Sequence, residues 1–186
     1  MDRRFRHVSF LAACCVLLLG CESSDDDDGN GAGGPCNGEP AAVAGITAAH
    51  NSVRSSVDSA TSLPPLEWSC EVAAVAQAYA NELAREGCSL EHSSNGYGEN
   101  LYWSSGDSDA QDAVGAWSEE VACYTYAEFP DQCTPVAGQC DSCGHYTQIV
   151  WRDSLRLGCG VARCGEAEVW VCNYDPPGNY LGEFPY

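Results

Sequence analysis

Thirteen of the 186 residues are cysteine, and this constrains the fold more than any other feature. Thiols at such density pair in an oxidising compartment and are rare in the cytosol. The chain therefore reads as an exported protein stapled by disulfides. Apolar residues make up 45% of the sequence, enough to bury a core in a single domain. The formal charge is −19, all eight basic residues are Arg, and Lys is absent. Phosphate backbones and anionic lipid faces need clustered cations, so nucleic-acid binding and electrostatic docking to membranes are excluded.

The route of export is written at the N-terminus. Arg3, Arg4 and Arg6 precede an apolar run from Val8 to Leu19, then Gly20 and Cys21. That run is shorter than the ~20 residues a spanning helix needs, and its charge-then-apolar order is that of a signal peptide. Leu18-Leu19-Gly20-Cys21 resembles the bacterial lipobox, whose Cys takes a diacylglycerol after cleavage. Residues 1–20 are therefore expected to be a signal peptide, with Cys21 lipidated and the lipid as the sole membrane attachment. Residues 21–35 read as a self-repelling tether, because Glu22 to Gly34 contains Asp25-Asp26-Asp27-Asp28 and many Gly, with no apolar residue larger than Ala. Residues 36–186 form the folded domain. The expected location is a lipid-anchored cell envelope, with the outer membrane favoured because Glu22 rather than Asp follows Cys21, or the extracellular space.

Cys14 and Cys15 leave with the signal and Cys21 carries lipid. Ten remain: Cys36, Cys70, Cys88, Cys123, Cys133, Cys140, Cys143, Cys159, Cys164 and Cys172. An even number suits five disulfides, whose connectivity the spacing leaves open. A thiolate zinc site at Cys133, Cys140 and Cys143 is the competing reading, which export disfavours.

Helical spacing runs from Ala41 to Val57 and again through Trp68, Val72, Val75, Tyr79 and Leu83, where Gly87 can cap. Residues 92–109 read as loop. A third helix runs from Asp109, a plausible N-cap, to Tyr124. Residues 125–144 read as a disulfide-tied loop, and His145–Trp151 alternates like a strand. Segments 157–163 and 168–174 suit a hairpin around Gly165-Glu166. Helices followed by strands predict an α+β fold.

Several segments together resemble one family. Gly98-Glu99-Asn100-Leu101, Ala113-Val114 with Trp117 and Glu120, Gly144-His145-Tyr146-Thr147-Gln148-Ile149-Val150-Trp151, and Cys172-Asn173-Tyr174-Asp175-Pro176-Pro177-Gly178-Asn179-Tyr180 are similar to the CAP (SCP) superfamily. That family comprises cysteine-rich secretory proteins, antigen 5 and plant pathogenesis-related proteins of group 1. The resemblance covers residues 41–186, and to the plant group it extends through the ending at Tyr186. It implies an α-β-α sandwich with a three- to four-stranded antiparallel sheet between helices. It also implies pairings Cys88–Cys159, Cys133–Cys143 and Cys164–Cys172; Cys36–Cys70 and Cys123–Cys140 are then the expected pairs among the additional cysteines.

The family's cleft tetrad maps onto His92, Glu99, Glu120 and His145. Two imidazoles facing two carboxylates can hold a divalent ion such as zinc through His92 and His145, with water completing the shell, or can simply hydrogen-bond. His50 matches a packing position and reads as structural. Ser93, Ser94, Ser104 and Ser105 lack an Asp/His partnership that would make a nucleophile. Exposed Tyr97, Tyr102 and Trp103 suit a ligand surface, a lid or ordinary packing. The expected function is a membrane-tethered binding or interaction module, taking a sterol-like or fatty-acid ligand or a protein partner, rather than an enzyme. The alternatives are a tetrad-dependent hydrolase acting on peptides or envelope polymers, and a cell-interaction protein with an inert cleft.

Overall fold

The computed structural model describes residues 38–138 and 140–186. The expected signal peptide, Cys21, the acidic tether and Cys36 lie outside the described residues. In chain order the elements are α1 (Ile46–Ser55), β1 (Glu67–Trp68), α2 (Cys70–Arg85) and β2 (Gly98–Ser104), followed by α3 (Ala110–Ser118), a 3-10 turn (Glu119–Cys123), α4 (Gly144–Ile149), β3 (Arg156–Cys164) and β4 (Ala167–Asp175).

Local chemistry sets most of the ends. The carboxylate of Glu39 accepts from the amides of Gly45 and Thr47 at 2.6 and 2.8 Å, so an anion sits at the positive end of α1. α2 stops in a Schellman arrangement: the Cys88 amide reaches the Leu83 carbonyl at 2.8 Å while Gly87 takes φ +88°. Asp109 and Asp112 form a reciprocal capping box on α3. Ser108 then fastens that corner to the sheet, because its amide and hydroxyl both donate to the buried Glu168 carboxylate, at 3.0 and 2.8 Å.

Among the described residues the strands form one sheet in the order β1-β3-β4-β2. The β3–β4 hairpin and the β4–β2 pair are antiparallel, but β1 runs parallel to β3, so the sheet is mixed rather than wholly antiparallel. β1 is two residues long, held where the Glu67 and Ser69 amides reach the carbonyls of Leu155 and Leu157. A strand this short carries no alternation to read.

Helices cover both faces, giving the expected sandwich. On one face α2 packs Ala76, Ala80 and Leu83 against Leu101, Val169 and Val171. It approaches β3 so closely that a Cβ on Gly158 would lie 2.0 Å from the Ala73 backbone nitrogen. On the other face α1, α3 and α4 bury Ile46, Val114, Trp117 and Ile149 against Trp170 and Tyr174.

Three expectations on secondary structure are corrected. His145–Trp151 is not a strand: residues 144–149 form α4, and Tyr146 through Trp151 are all buried. A helix enclosed on every side shows no polar face, which removes the helical signature. Residues 92–109 are not wholly loop, since β2 lies within them. The first and third helices are shorter than their periodicity suggests, each flanked by 3-10 turns.

The disulfides are corrected as well. Among the described residues Cys88 bonds Cys164 and Cys159 bonds Cys172, in place of Cys88–Cys159 and Cys164–Cys172. Strand register decides this: Cys159 and Cys172 are direct cross-strand partners with Cα atoms 4.1 Å apart. Cys123 bonds Cys140 and Cys133 bonds Cys143, as expected, the first bridge starting at the end of the 3-10 turn and the second ending just before α4. Cys70 is also disulfide-bonded.

Candidate functional site

The four motif residues form two hydrogen-bonded His–Glu pairs. Nδ1 of His145 lies 2.7 Å from Oε1 of Glu120, and Nδ1 of His92 lies 2.8 Å from Oε1 of Glu99. A carboxylate only accepts, so Nδ1 carries the proton in both rings, and Nε2 is left as a ligand or base whenever the imidazole is neutral.

The pairs are built differently. Glu120 sits on the 3-10 turn and its Oε2 also accepts from the amides of His145 and Tyr146, at 2.8 and 3.0 Å. One carboxylate thus caps α4 and orients the first imidazole on it. The Trp117 ring stacks over that imidazole, with centroids 6.3 Å apart. Glu99 projects from β2 and accepts from the amide and hydroxyl of Ser93 at 2.9 and 2.6 Å, besides His92. Burial opposes ionisation of Glu99, but the bonds from His92 and Ser93 outweigh it and hold the carboxyl below its usual range. The bond to Glu99 raises His92 above the usual imidazole value, partly offset by burial. The Ser93 hydroxyl is therefore a donor in this clamp, with no free imidazole beside it.

A chain of hydrogen bonds links the site to the core. The Asn100 amide donates to the His145 carbonyl at 3.1 Å and to the Tyr174 hydroxyl at 3.0 Å. That hydroxyl meets Nε2 of His50 at 2.8 Å, and Nδ1 of His50 meets the Ile46 carbonyl at 2.8 Å. His50 is fully buried, and desolvation lowers its pKa to about 4. It is a structural, neutral imidazole. Arg54, one turn further along α1, is buried without a carboxylate and donates to the carbonyls of Pro64, Ile149, Trp151, Arg152 and Ser154. It gathers the chain leaving α4, and burial lowers its pKa to about 10. Asn100, Tyr174 and Arg54 escape a search for catalytic residue types. Asn100 and Tyr174 carry the sequence signal of lying within the conspicuous motifs, whereas Arg54, on α1, lies outside all of them.

A cleft of about 370 Å³ opens beside the His145–Glu120 pair, lined by Leu90, Leu101, Tyr102, Trp103, Trp117 and Glu119 among others. Tyr102 and Trp103 are thus cleft residues, whereas Tyr97, His92 and Glu99 lie outside its lining. Among the described residues no group of three His, Cys, Asp or Glu side chains is placed to hold a metal ion. Any divalent ion bound here would depend on imidazole Nε2 atoms and water.

This fold and these residues have counterparts. The profile of the cysteine-rich secretory protein family, CAP, matches residues 47–174. The chain belongs to the CAP family. The CAP domain is 46% identical over 139 residues to pathogenesis-related protein 1 of Arabidopsis thaliana, covering 74% of this chain and 78% of that one. It is 48% identical over 140 residues to pathogenesis-related protein 1A of Nicotiana tabacum, covering 74% and 77%. Among solved structures, the crystal structure of NaASP2 with Zn²⁺ superimposes with a TM-score of 0.64 at 30% identity, over 83% of this chain and 90% of that one. The disulfide-rich CAP fold fits an extracellular protein.

Proposed function

We propose that this CAP domain is an exported, lipid-anchored binding module whose ligand is an apolar small molecule of the sterol or fatty-acid kind. The observation that carries the reading is a groove of about 390 Å³ between α1 and the 3-10 turn, lined by Val53, Val57, Val121, Tyr124, Tyr146 and Tyr186 together with the polar Ser56, Asp58 and Ser118. Concave, mostly apolar cavities of this size accept small ligands. Among the described residues the buried Tyr124 hydroxyl makes no hydrogen bond of good geometry, although the Tyr186 ring lies beside its own, with centroids 6.2 Å apart. A ligand with one polar end, a sterol hydroxyl or a fatty-acid carboxylate, would satisfy it. Burial raises the Tyr124 and Tyr146 hydroxyls well above the usual phenol value, so both remain donors at neutral pH.

Displacement of a fluorescent fatty acid and a fluorescent sterol tests this. Val57→Asp and Val121→Asp should each weaken binding by about tenfold or more, since a carboxylate in the apolar wall is costly to desolvate. Absence of binding by the wild type, together with native mass spectra free of lipid, would defeat the proposal.

Zinc at the tetrad is a second reading, supported by two imidazoles whose Nδ1 atoms are already held and by NaASP2 having been crystallised with Zn²⁺. Both His must be neutral to bind, so affinity should fall as the pH is lowered, and the bond to Glu99, which favours protonated His92, moves that fall upward. Calorimetry on the wild type and on the double variant His92→Ala, His145→Ala decides it; equal heats would place the metal elsewhere. Binding is preferred to hydrolysis because the Ser93 hydroxyl is engaged by Glu99 and every described cysteine is disulfide-bonded.

A further inference from the structure

We infer that the cavity beside Arg152 takes the zwitterionic head, a phosphate joined to a quaternary ammonium, of a single-chain amphiphile whose chain lies in the apolar groove. The cavity measures about 470 Å³ and is lined by Asp58, residues 59–61, Tyr126, Arg152 and Tyr186. It shares Asp58 and Tyr186 with the groove, so the two meet at those residues. The place of the chain rests on the small-molecule reading, and the place of the head rests on two charges.

Arg152 is a cation fixed at this cavity. Its amide donates to the Pro185 carbonyl at 2.7 Å and its own carbonyl accepts from Arg54, which holds the backbone on both sides. Its guanidinium donates to the carbonyls of Thr61 and Ser62 at 2.9 and 3.3 Å. A guanidinium has five N–H groups, so donors remain for a ligand. Asp58 is exposed on the same lining. Among the described residues Arg152 and Asp58 form no ion pair, with each other or with another side chain, although acidic residues far outnumber Arg in this chain. Arg156, at a different cavity, shows the contrast, since it is paired with Asp175. Opposite charges that line one space yet stay apart suit a ligand bearing both signs, because a singly charged one meets repulsion from one of them.

The aromatic walls identify the cationic half. Tyr126 donates its hydroxyl to the main-chain oxygen of Tyr186, and the two ring centroids lie 5.1 Å apart. Rings so held attract a quaternary ammonium over their faces, while a planar guanidinium grips phosphate oxygens. A free head group would leave the apolar groove unfilled, and a sterol hydroxyl offers no charge to either side chain.

Calorimetry on the full chain with three ligands of one chain length tests this: dodecylphosphocholine, dodecyl phosphate and dodecyltrimethylammonium, each below its micelle concentration. At about 0.15 M salt the general field of the anionic chain is screened beyond about 8 Å. Dodecylphosphocholine should bind about tenfold or more tightly than either singly charged ligand. Phosphocholine without a chain should bind about tenfold weaker than dodecylphosphocholine, or worse. Arg152→Gln should weaken dodecylphosphocholine and dodecyl phosphate by about tenfold and leave dodecyltrimethylammonium unchanged. Asp58→Asn should weaken dodecylphosphocholine and dodecyltrimethylammonium but strengthen dodecyl phosphate. Equal binding of the three ligands by the wild type, a comparison that needs no variant, overturns the head site and leaves the apolar groove standing. Chain-free phosphocholine binding as tightly as dodecylphosphocholine overturns the amphiphile. Failure of every apolar probe, the fluorescent fatty acid and sterol included, defeats the groove and the head site together.

Discussion

Tyr174 donates its hydroxyl proton to Nε2 of His50 across 2.8 Å. The direction follows from the other side of the ring, where Nδ1 lies 2.8 Å from the Ile46 carbonyl and must carry the hydrogen. The phenol in turn accepts from Asn100, whose amide also holds the His145 carbonyl. A buried neutral imidazole thus anchors the network beneath the candidate site.

That network makes stability depend on pH. The His50 pKa falls from 6.5 to about 4 on folding. Between those values the unfolded chain binds the proton and the folded one does not, so stability declines as pH falls from about 6.5 to about 4, by about 3 kcal/mol. His92 acts in the opposite sense: its raised value adds stability below 6.5 that is lost as pH rises through the folded value. Glu99, held low, adds stability above 4.5 that is lost as pH falls through its folded value. Urea unfolding of His50→Gln should therefore show lower stability at pH 7 but a flatter decline between pH 7 and pH 4. An unchanged slope would assign the acid sensitivity to other groups. Tyr174→Phe should cost about 1–3 kcal/mol at either pH, the penalty for leaving a buried donor without its partner.

Arg54→Met should be among the most damaging single changes. The side chain fits, but up to five carbonyls that Arg54 now serves lose their donor. Equilibrium unfolding should show a loss of about 3 kcal/mol or more. Arg54→Lys should recover only part of it, because a single ammonium cannot reach both sides of the fork. A loss below about 1 kcal/mol for Arg54→Met would mean that water replaces the guanidinium.

The disulfide pattern predicts thiol counts. Replacing Cys159 and Cys172 together by Ser should leave no new reactive thiol in denaturant. Replacing Cys88 and Cys159 together should expose Cys164 and Cys172, unless those two re-pair. In the chain-entropy account the Cys88–Cys164 bridge, with a sequence separation of 76, contributes more than Cys159–Cys172, with 13. The expected contributions are about 4.5 and about 3 kcal/mol. Peptide mapping that joins Cys88 to Cys159 would overturn the Cys88–Cys164 and Cys159–Cys172 pairing.

The proposed lipid anchor rests on Leu18-Leu19-Gly20-Cys21. Under that proposal the wild type partitions into the detergent phase, and Cys21→Ser should leave a soluble or unprocessed protein. A wild type found wholly in the aqueous phase would rule out lipidation.

Short-range signals carried much of the architecture. The stripe from Val72 to Leu83, Gly87 behind it, Asp109 ahead of α3, and the turn at Gly165-Glu166 each act within one or two turns of chain, and each sits where those residues indicate, whereas Trp68, expected on the same helix, lies in β1. The motifs also named His92, Glu99, Glu120 and His145, because their neighbours in sequence are distinctive.

Contacts between distant segments decided the rest. β1 is stabilised by the carbonyls of Leu155 and Leu157, nearly ninety positions away. α4 is buried on every side, so its environment lies in α1, α3 and the sheet, outside its own six residues. Cys159 pairs with Cys172 because strand register sets them side by side, a relation that spacing along the chain cannot express. Which histidine meets which glutamate, and the Asn100–Tyr174–His50 link beneath them, likewise depend on how the two faces of the sheet are filled. Propensity and capping act over one or two turns of chain, whereas register and packing join residues brought together only when the core closes.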